Sequence, residues 1–199
     1  MTIRLLIINV LLLLSTALCN TIFGQQLHNL RQAEDSLCAN LSTLNRATTD
    51  SSRNAINLIF SNNLYAALLL SGSDTYPFDS LKNLVKLTSP DNFFRFFHWN
   101  LRFSDGKYRY YGFLKVIGHT PPIINRLYDA SDSLSNHDTA QCGSHQGFCA
   151  LYYKVITGET SSGQKVYTIL GWSGTNSLIT QKVIYVLSFD EQSLPIFGM

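Results

Sequence analysis

The sequence predicts an α+β fold, in which N-terminal helices pack on an antiparallel, aromatic-rich β meander of about five strands. Three observations support this prediction. Leucines recur at helical spacing in the first third of the chain, aromatic and β-branched residues alternate in short runs after Tyr76, and turn residues separate those runs. Successive antiparallel strands with helices segregated to one face or end define the α+β class.

The composition excludes two classes of protein. The 199 residues are 45% hydrophobic and 14% charged, and the formal net charge is +2. A chain this close to neutral, without a run of Lys or Arg, is not expected to bind nucleic acid. Its abundant apolar side chains can offset the loss of chain entropy, so intrinsic disorder is not expected either.

Residues 1–24 have the pattern of a secretory signal peptide. Arg4 precedes an apolar run, and small residues follow it before Cys19. The run is too short for a transmembrane helix, and no other stretch is longer, so no transmembrane span is expected. Cleavage between Asn20 and Gln26 would give an exported protein, periplasmic or associated with the outer membrane. A lipoprotein anchor at Cys19 is the less favoured alternative, because the residue before a lipidated cysteine is normally small.

Residues 25–75 form the predicted helical region. Leucines at spacings of three, four and seven predict an amphipathic helix from Gln26 to about Arg46. A polar loop then offers N-cap oxygens to a second helix, whose apolar residues step by four from Ile56 to Leu68. The apolar stripes of both helices need a partner surface.

Residues 76–199 form the predicted β-rich region. It opens with a short helix from about Phe78 to Leu87. Strands are then expected over residues 93–100, 107–117, 150–157, 165–172 and 182–189. The turn at Asp105-Gly106 joins the first two strands as a hairpin.

The first of these strands carries aromatic residues on both of its faces. One interpretation is structural: the strand lies between helices on one side and another layer on the other. The alternative is an aromatic platform for a sugar or peptide, with Trp99, Tyr108, Tyr110 and Trp172 as candidate ligand-binding residues. The structural interpretation is favoured, because aromatic strand residues are most often core. The expected core comprises Phe94, Phe96, Trp99, Tyr110, Phe113, Tyr152, Leu170 and Trp172.

The spacing of His137, Cys142, His145 and Cys149 resembles a four-ligand zinc site. The expected export affects which chemistry these residues would have. In an oxidising compartment, two neighbouring thiols would normally form a disulfide before they captured zinc. A Cys142–Cys149 disulfide is therefore the expectation, and the metal site is the alternative. Cys38 then remains a free thiol on the first helix. No cofactor is expected.

Catalytic motifs are not evident in the sequence. The run Gly143-Ser144-His145-Gln146-Gly147 places its serine one position too early for a nucleophile elbow. Asp129, Asp132 and Asp138 lie in a polar loop, where solvated turn residues are the simpler explanation. These observations favour a non-enzymatic binding or structural module that recognises an envelope protein, a glycan or a peptide. A secreted hydrolase acting on glycans or peptides is the alternative.

Several motifs of the β-rich region occur together in a fixed order. They are Pro77-Phe78-Asp79-Ser80-Leu81, Phe94-Arg95-Phe96-Phe97-His98-Trp99-Asn100, Ala150-Leu151-Tyr152-Tyr153-Lys154 and Lys182-Val183-Ile184-Tyr185-Val186-Leu187-Ser188-Phe189. In this respect the chain resembles a group of secreted proteins of Bacteroidota-type Gram-negative bacteria with no established function. The resemblance covers about Tyr76 to Gly198 and implies export, but no activity. Members of the group continue beyond the Pro195-x-Phe197-Gly198 motif, which suggests a shortened member or a truncated reading frame.

Overall fold

The computed structural model describes residues 2–129, 142–143, 150–174 and 180–198. Two helices precede nine strands in this part of the chain. The helices are α1 (Thr2–Arg46) and α2 (Asp50–Leu69). The strands are β1 (Val85–Thr88), β2 (Phe94–Arg102), β3 (Tyr108–Val116), β4 (Ile123–Tyr128), β5 (Cys142–Gly143), β6 (Leu151–Glu159), β7 (Lys165–Gly174), β8 (Thr180–Phe189) and β9 (Pro195–Phe197). Among the described residues, no helix is both long enough and apolar enough to span a membrane.

The strands form two antiparallel sheets, so the predicted α+β class is confirmed. The first sheet has the order β1-β2-β3-β4, and the second has the order β5-β9-β8-β7-β6. The division into two sheets, and the number of strands, differ from the single meander of about five that the sequence predicts. The strands β4 and β9 are not predicted. Two prolines precede β4, and β9 has only three residues, so neither shows a clear alternation of apolar and polar residues.

The first sheet lies between the two helices and the second sheet. Successive side chains of β2 point to opposite faces of the sheet, as expected for a strand. Phe97 and Trp99 belong to a buried cluster with α1 and α2. Phe94 and Phe96 belong to a second cluster with the other sheet, in which the ring of Phe94 lies 4.9 Å from the ring of Tyr167. Aromatic residues on both faces of β2 are therefore buried in the core, as the structural interpretation predicts.

Six of the eight expected core residues are buried, and two are not. Leu170 and Trp172 are only half-buried. Along β7, the inward positions are instead Tyr167 and Ile169, which are fully buried. Because successive strand residues point to opposite faces, Leu170 falls on the other side of the sheet from Ile169.

The prediction of a short helix from about Phe78 to Leu87 is wrong. This segment contains turns followed by β1, whose residue Val85 pairs with His98 of β2. Side-chain hydrogen bonds hold the turns, and one of them comes from far along the sequence. Glu34 of α1 accepts a 2.7 Å hydrogen bond from the Ser80 amide. Lys86 donates a 2.7 Å hydrogen bond to the Phe78 carbonyl oxygen, so backbone groups are satisfied without a helix.

The start of α2 agrees with the predicted N-cap. Thr49 has extended backbone angles, and its hydroxyl oxygen accepts a 3.2 Å hydrogen bond from the Ser52 amide. The Asp50 carboxylate then binds the Ser104 amide and hydroxyl on the β2–β3 turn. The hydrogen bonds from Ser104 are the main cause that lowers the pKa of Asp50. This contact fixes the start of α2 against the first sheet.

Candidate functional site

A groove of about 450 Å³ lies between α2 and the hairpin of β3 and β4. Small-ligand pockets commonly have volumes of about 300–1,000 Å³ and mix apolar walls with a few polar groups. This groove has both features. Its wall carries Asn54, Leu58 and Ser61, and its floor includes Tyr111 and Tyr128.

Helical spacing places the wall residues. Asn54, Leu58 and Ser61 follow one another at steps of four and three, so they lie along one side of α2. Phe60 and Leu64 of the same helix are fully buried in the core. Leu58 lies off this buried side of the helix and is 57% exposed.

The register of β3 and β4 places the floor residues. Tyr111 pairs with Tyr128, and Phe113 pairs with Arg126. Paired residues of neighbouring strands have their side chains on the same face. Two tyrosines and an arginine therefore lie together on the face of the sheet that carries α2, and Tyr128 is 46% exposed.

Two arginines line the groove, and their surroundings differ. The Arg109 guanidinium lies 4.0 Å from the centre of the Phe103 ring and 3.4 Å from the Asp105 carboxylate. The Arg126 guanidinium lies 5.1 Å from the Phe113 ring and donates a 3.2 Å hydrogen bond to the Asn62 side chain. Among the residues that the structure describes, no carboxylate forms an ion pair with Arg126.

Asp129 is the one acidic residue among the described residues of the groove lining. Its carboxylate accepts a 2.9 Å hydrogen bond from the Tyr110 amide. Burial raises the pKa of Tyr111, so its hydroxyl stays protonated at neutral pH and can donate a hydrogen bond. The groove thus offers hydrogen-bond donors, a positive charge and apolar surface.

Three of the four predicted ligand-binding residues, Tyr108, Tyr110 and Trp172, lie around Gly174, and Trp99 lies apart from them. Trp99 is 3% exposed and faces the helices, where its ring stacks on Tyr111 at 5.8 Å. The rings of Tyr108 and Trp172 meet edge to face at 5.6 Å. Tyr110 is also buried, and its hydroxyl oxygen accepts a 2.7 Å hydrogen bond from the Gly174 amide.

Sequence reasoning missed most of the groove. The residues concerned are Arg109, Tyr111, Arg126, Tyr128 and the polar positions of α2. The sequence does contain one signal of the groove. An Arg-x-Tyr triplet occurs in each of β3 and β4, and the spacing of two puts the arginine and the tyrosine of each triplet on the same face of the strand. Only the pairing of these strands shows that the two tyrosines lie side by side, with Arg126 opposite Phe113.

The predicted cysteine chemistry falls largely outside the described residues. This applies to the Cys142–Cys149 disulfide and to the alternative metal site with His137 and His145. Among the described residues, no group of three His, Cys, Asp or Glu side chains is placed to hold a metal ion. Cys38 is a free, half-buried thiol on α1, and burial raises its pKa.

Comparison with known proteins adds no further information on the site. No protein family, curated protein or solved structure shows a significant match to the chain.

Proposed function

We propose that the protein is an exported, non-enzymatic binding module whose ligand lies in the groove between α2 and the β3–β4 hairpin. One observation carries this proposal. Two exposed apolar side chains, Leu58 and Tyr128, line the same groove as Arg126, whose charge has no carboxylate partner among the described residues. Exposed apolar surface beside an uncompensated charge is typical of a binding site.

The chemistry of the lining supports binding over hydrolysis. Most glycosidases flank the scissile bond with two carboxylic acids, whereas the described lining carries Asp129 alone. His98 lies outside the lining, and complete burial lowers its pKa to about 3, so its imidazole is neutral at physiological pH. A fully buried neutral histidine is suited to packing and not to proton transfer with a ligand.

The proposal of export depends on the N-terminal sequence pattern. It expects a mature N-terminus between Asn20 and Gln26, which N-terminal sequencing of protein from the envelope fraction can determine. An intact Met1 in the cytosol would contradict it. In an oxidising compartment we also expect a Cys142–Cys149 disulfide, visible as linked peptides in mass spectrometry without reduction.

The binding function is tested by screening the purified protein on peptide and glycan arrays and then measuring its affinity for the hits. Leu58→Glu places a charge in the groove, and we expect it to weaken binding at least tenfold. Ile59→Glu is the matched control, because Ile59 is 52% exposed on the same helix but does not line the groove. Absence of any bound ligand, or equal affinities of both variants, would contradict the proposal. Cleavage of a bound probe would favour the secreted hydrolase.

A further inference from the structure

We propose that the ligand of this groove is a short, extended peptide segment that places one carboxylate on Arg126. This inference depends on the proposed binding function and names the class of ligand. It follows from the state of Arg126, the length and lining of the groove, and the position of β4 at the edge of its sheet.

The surroundings of Arg126 favour an anion. A guanidinium carries five N–H donors, and Asn62 takes one of them. The Phe113 ring lies against the guanidinium and restricts its orientation. An arginine held in this way can present two parallel N–H groups to a carboxylate at little further cost in side-chain entropy.

The charges of the groove favour a single carboxylate over a polyanion. Arg109 already has the Asp105 carboxylate at 3.4 Å, so its charge is partly compensated. The described lining also carries one carboxylate, that of Asp129, so it contains two positive charges and one negative charge. One acidic position, with neutral neighbours, fits this distribution of charge.

The dimensions of the groove fit a short extended chain. From Asn54 to Ser61, the wall covers roughly 10 Å of helix axis, which equals about three residues of extended peptide. Asn54 and Ser61 can bond to the peptide backbone, while Leu58 and Tyr128 contact its apolar side chains.

The edge of the sheet favours a peptide over a glycan. β4 lies at the edge of the first sheet, where it pairs with β3. Such an edge can pair with an added strand. A sugar would depend on open aromatic faces, but the Trp99 ring already stacks on Tyr111. Tyr128 is then the one largely exposed ring of the described lining.

The test uses a positional-scanning library of acetylated, amidated pentapeptides, with Glu or Gln fixed at each position in turn. We expect Glu at one position to bind about tenfold more tightly than Gln, because charge-assisted hydrogen bonds are stronger than neutral ones. A parallel set with a free C-terminus and no acidic side chain shows whether a terminal carboxylate serves equally well. Binding is measured by fluorescence anisotropy.

Three variants assign the preference to Arg126. Arg126→Gln should abolish the discrimination between Glu and Gln, and Arg126→Lys should keep part of it, because a lysine retains the charge without the paired donors. Arg53→Gln should have no effect, since Arg53 pairs with Asp50 and does not line the groove. Thermal unfolding confirms that each variant is folded.

The outcomes separate this inference from the proposed function. Equal affinity for Glu and Gln peptides, with binding still sensitive to Leu58→Glu, would contradict an acidic ligand but would support binding in the groove. Preference for glycans over all peptides would overturn the peptide. Retained discrimination in Arg126→Gln would overturn the role of Arg126. Binding that is insensitive to Leu58→Glu would contradict the groove itself.

Discussion

The indole nitrogen of Trp99 donates a 2.7 Å hydrogen bond to the side-chain oxygen of Asn57. Trp99 also meets Phe60 edge to face at 4.9 Å and stacks on Tyr111 at 5.8 Å. Asn57 and Tyr111 both line the groove. One buried tryptophan therefore joins the wall of the groove to its floor, and the stability of the helix–sheet interface and the shape of the groove depend on the same side chain.

The two tryptophans are expected to differ in their contribution to stability. Trp99→Ala should lower the free energy of unfolding by about 3–5 kcal/mol, because it removes a buried ring and leaves a cavity. Trp172 is only half-buried, so Trp172→Ala should cost about 1–2 kcal/mol. Urea unfolding measures both values. A loss of only about 1–2 kcal/mol for Trp99→Ala would contradict the burial of Trp99.

Lys115 provides a second test of the helix–sheet interface. It is 3% exposed, and its ammonium group lies 2.8 Å from the Leu68 carbonyl oxygen and 2.6 Å from both Ser73 Oγ and Asp74 Oδ1. Lys115→Met would leave these groups without their cation, so a loss of about 3 kcal/mol in the free energy of unfolding is expected. Lys154→Met, at an exposed position of β6, should stay within about 0.5 kcal/mol. A small effect of Lys115→Met would contradict the described contacts.

Asp91 joins the two sheets and should make stability depend on pH. Partial burial opposes its ionisation, but hydrogen bonds from Lys165, Ser89 and Tyr167 outweigh burial and lower its pKa to about 2, from an ordinary 3.8. The stabilisation is therefore complete above about pH 4 and is lost as the pH falls through 2. Because the carboxylate is partly exposed, solvent screening leaves about 1–2 kcal/mol.

Urea unfolding between pH 2 and pH 7 tests this pH dependence. Asp91→Asn should be less stable than the wild type at pH 7 and should approach it at pH 2. Glu159→Gln, which removes an exposed carboxylate at the end of β6, should keep the wild-type dependence. An Asp91→Asn variant with the full wild-type dependence would show that other acids are responsible.

Gly112 permits the close approach of β2 and β3. A Cβ atom at this position would lie 2.8 Å from the His98 Cβ and 3.1 Å from the Phe97 carbonyl oxygen. Gly112→Ala should therefore cost about 1–3 kcal/mol in the free energy of unfolding. Gly158→Ala is the matched control, since its Cβ would meet no atom closer than 3.8 Å and should change stability by less than about 0.5 kcal/mol. Equal effects would contradict the register of β2 and β3.

Local features of the fold could be predicted from the sequence. The N-cap of α2 depends on Thr49 and Ser52, which are three residues apart, and the β2–β3 turn depends on Asp105-Gly106. Both signals are contained in a few neighbouring residues. The two aromatic faces of β2 also predict a layer on each side, because apolar faces of a strand require partners.

Long-range features could not be predicted in the same way. Glu34 accepts a hydrogen bond from the Ser80 amide, which lies 46 positions further along the chain. This contact stabilises a turn where local propensity predicts a helix. The groove has the same origin, because Arg126 becomes a site residue only when β4 pairs with β3 and α2 covers one side of that pair. Periodicity does not reveal which strands pair, nor where a helix stops covering a sheet.

Nuclear magnetic resonance mapping of a ligand from the array screen tests the central claim most directly. Titration into the isotope-labelled protein should shift the backbone amide signals of Asn54, Leu58 and Ser61 on α2, together with those of Tyr111 and Arg126 on the strands. Signals of the exposed apolar side of the second sheet, at Ile156 and Ile184, should stay unchanged. Shifts confined to the second sheet, with the signals of α2 and β4 unaffected, would contradict the groove as the binding site.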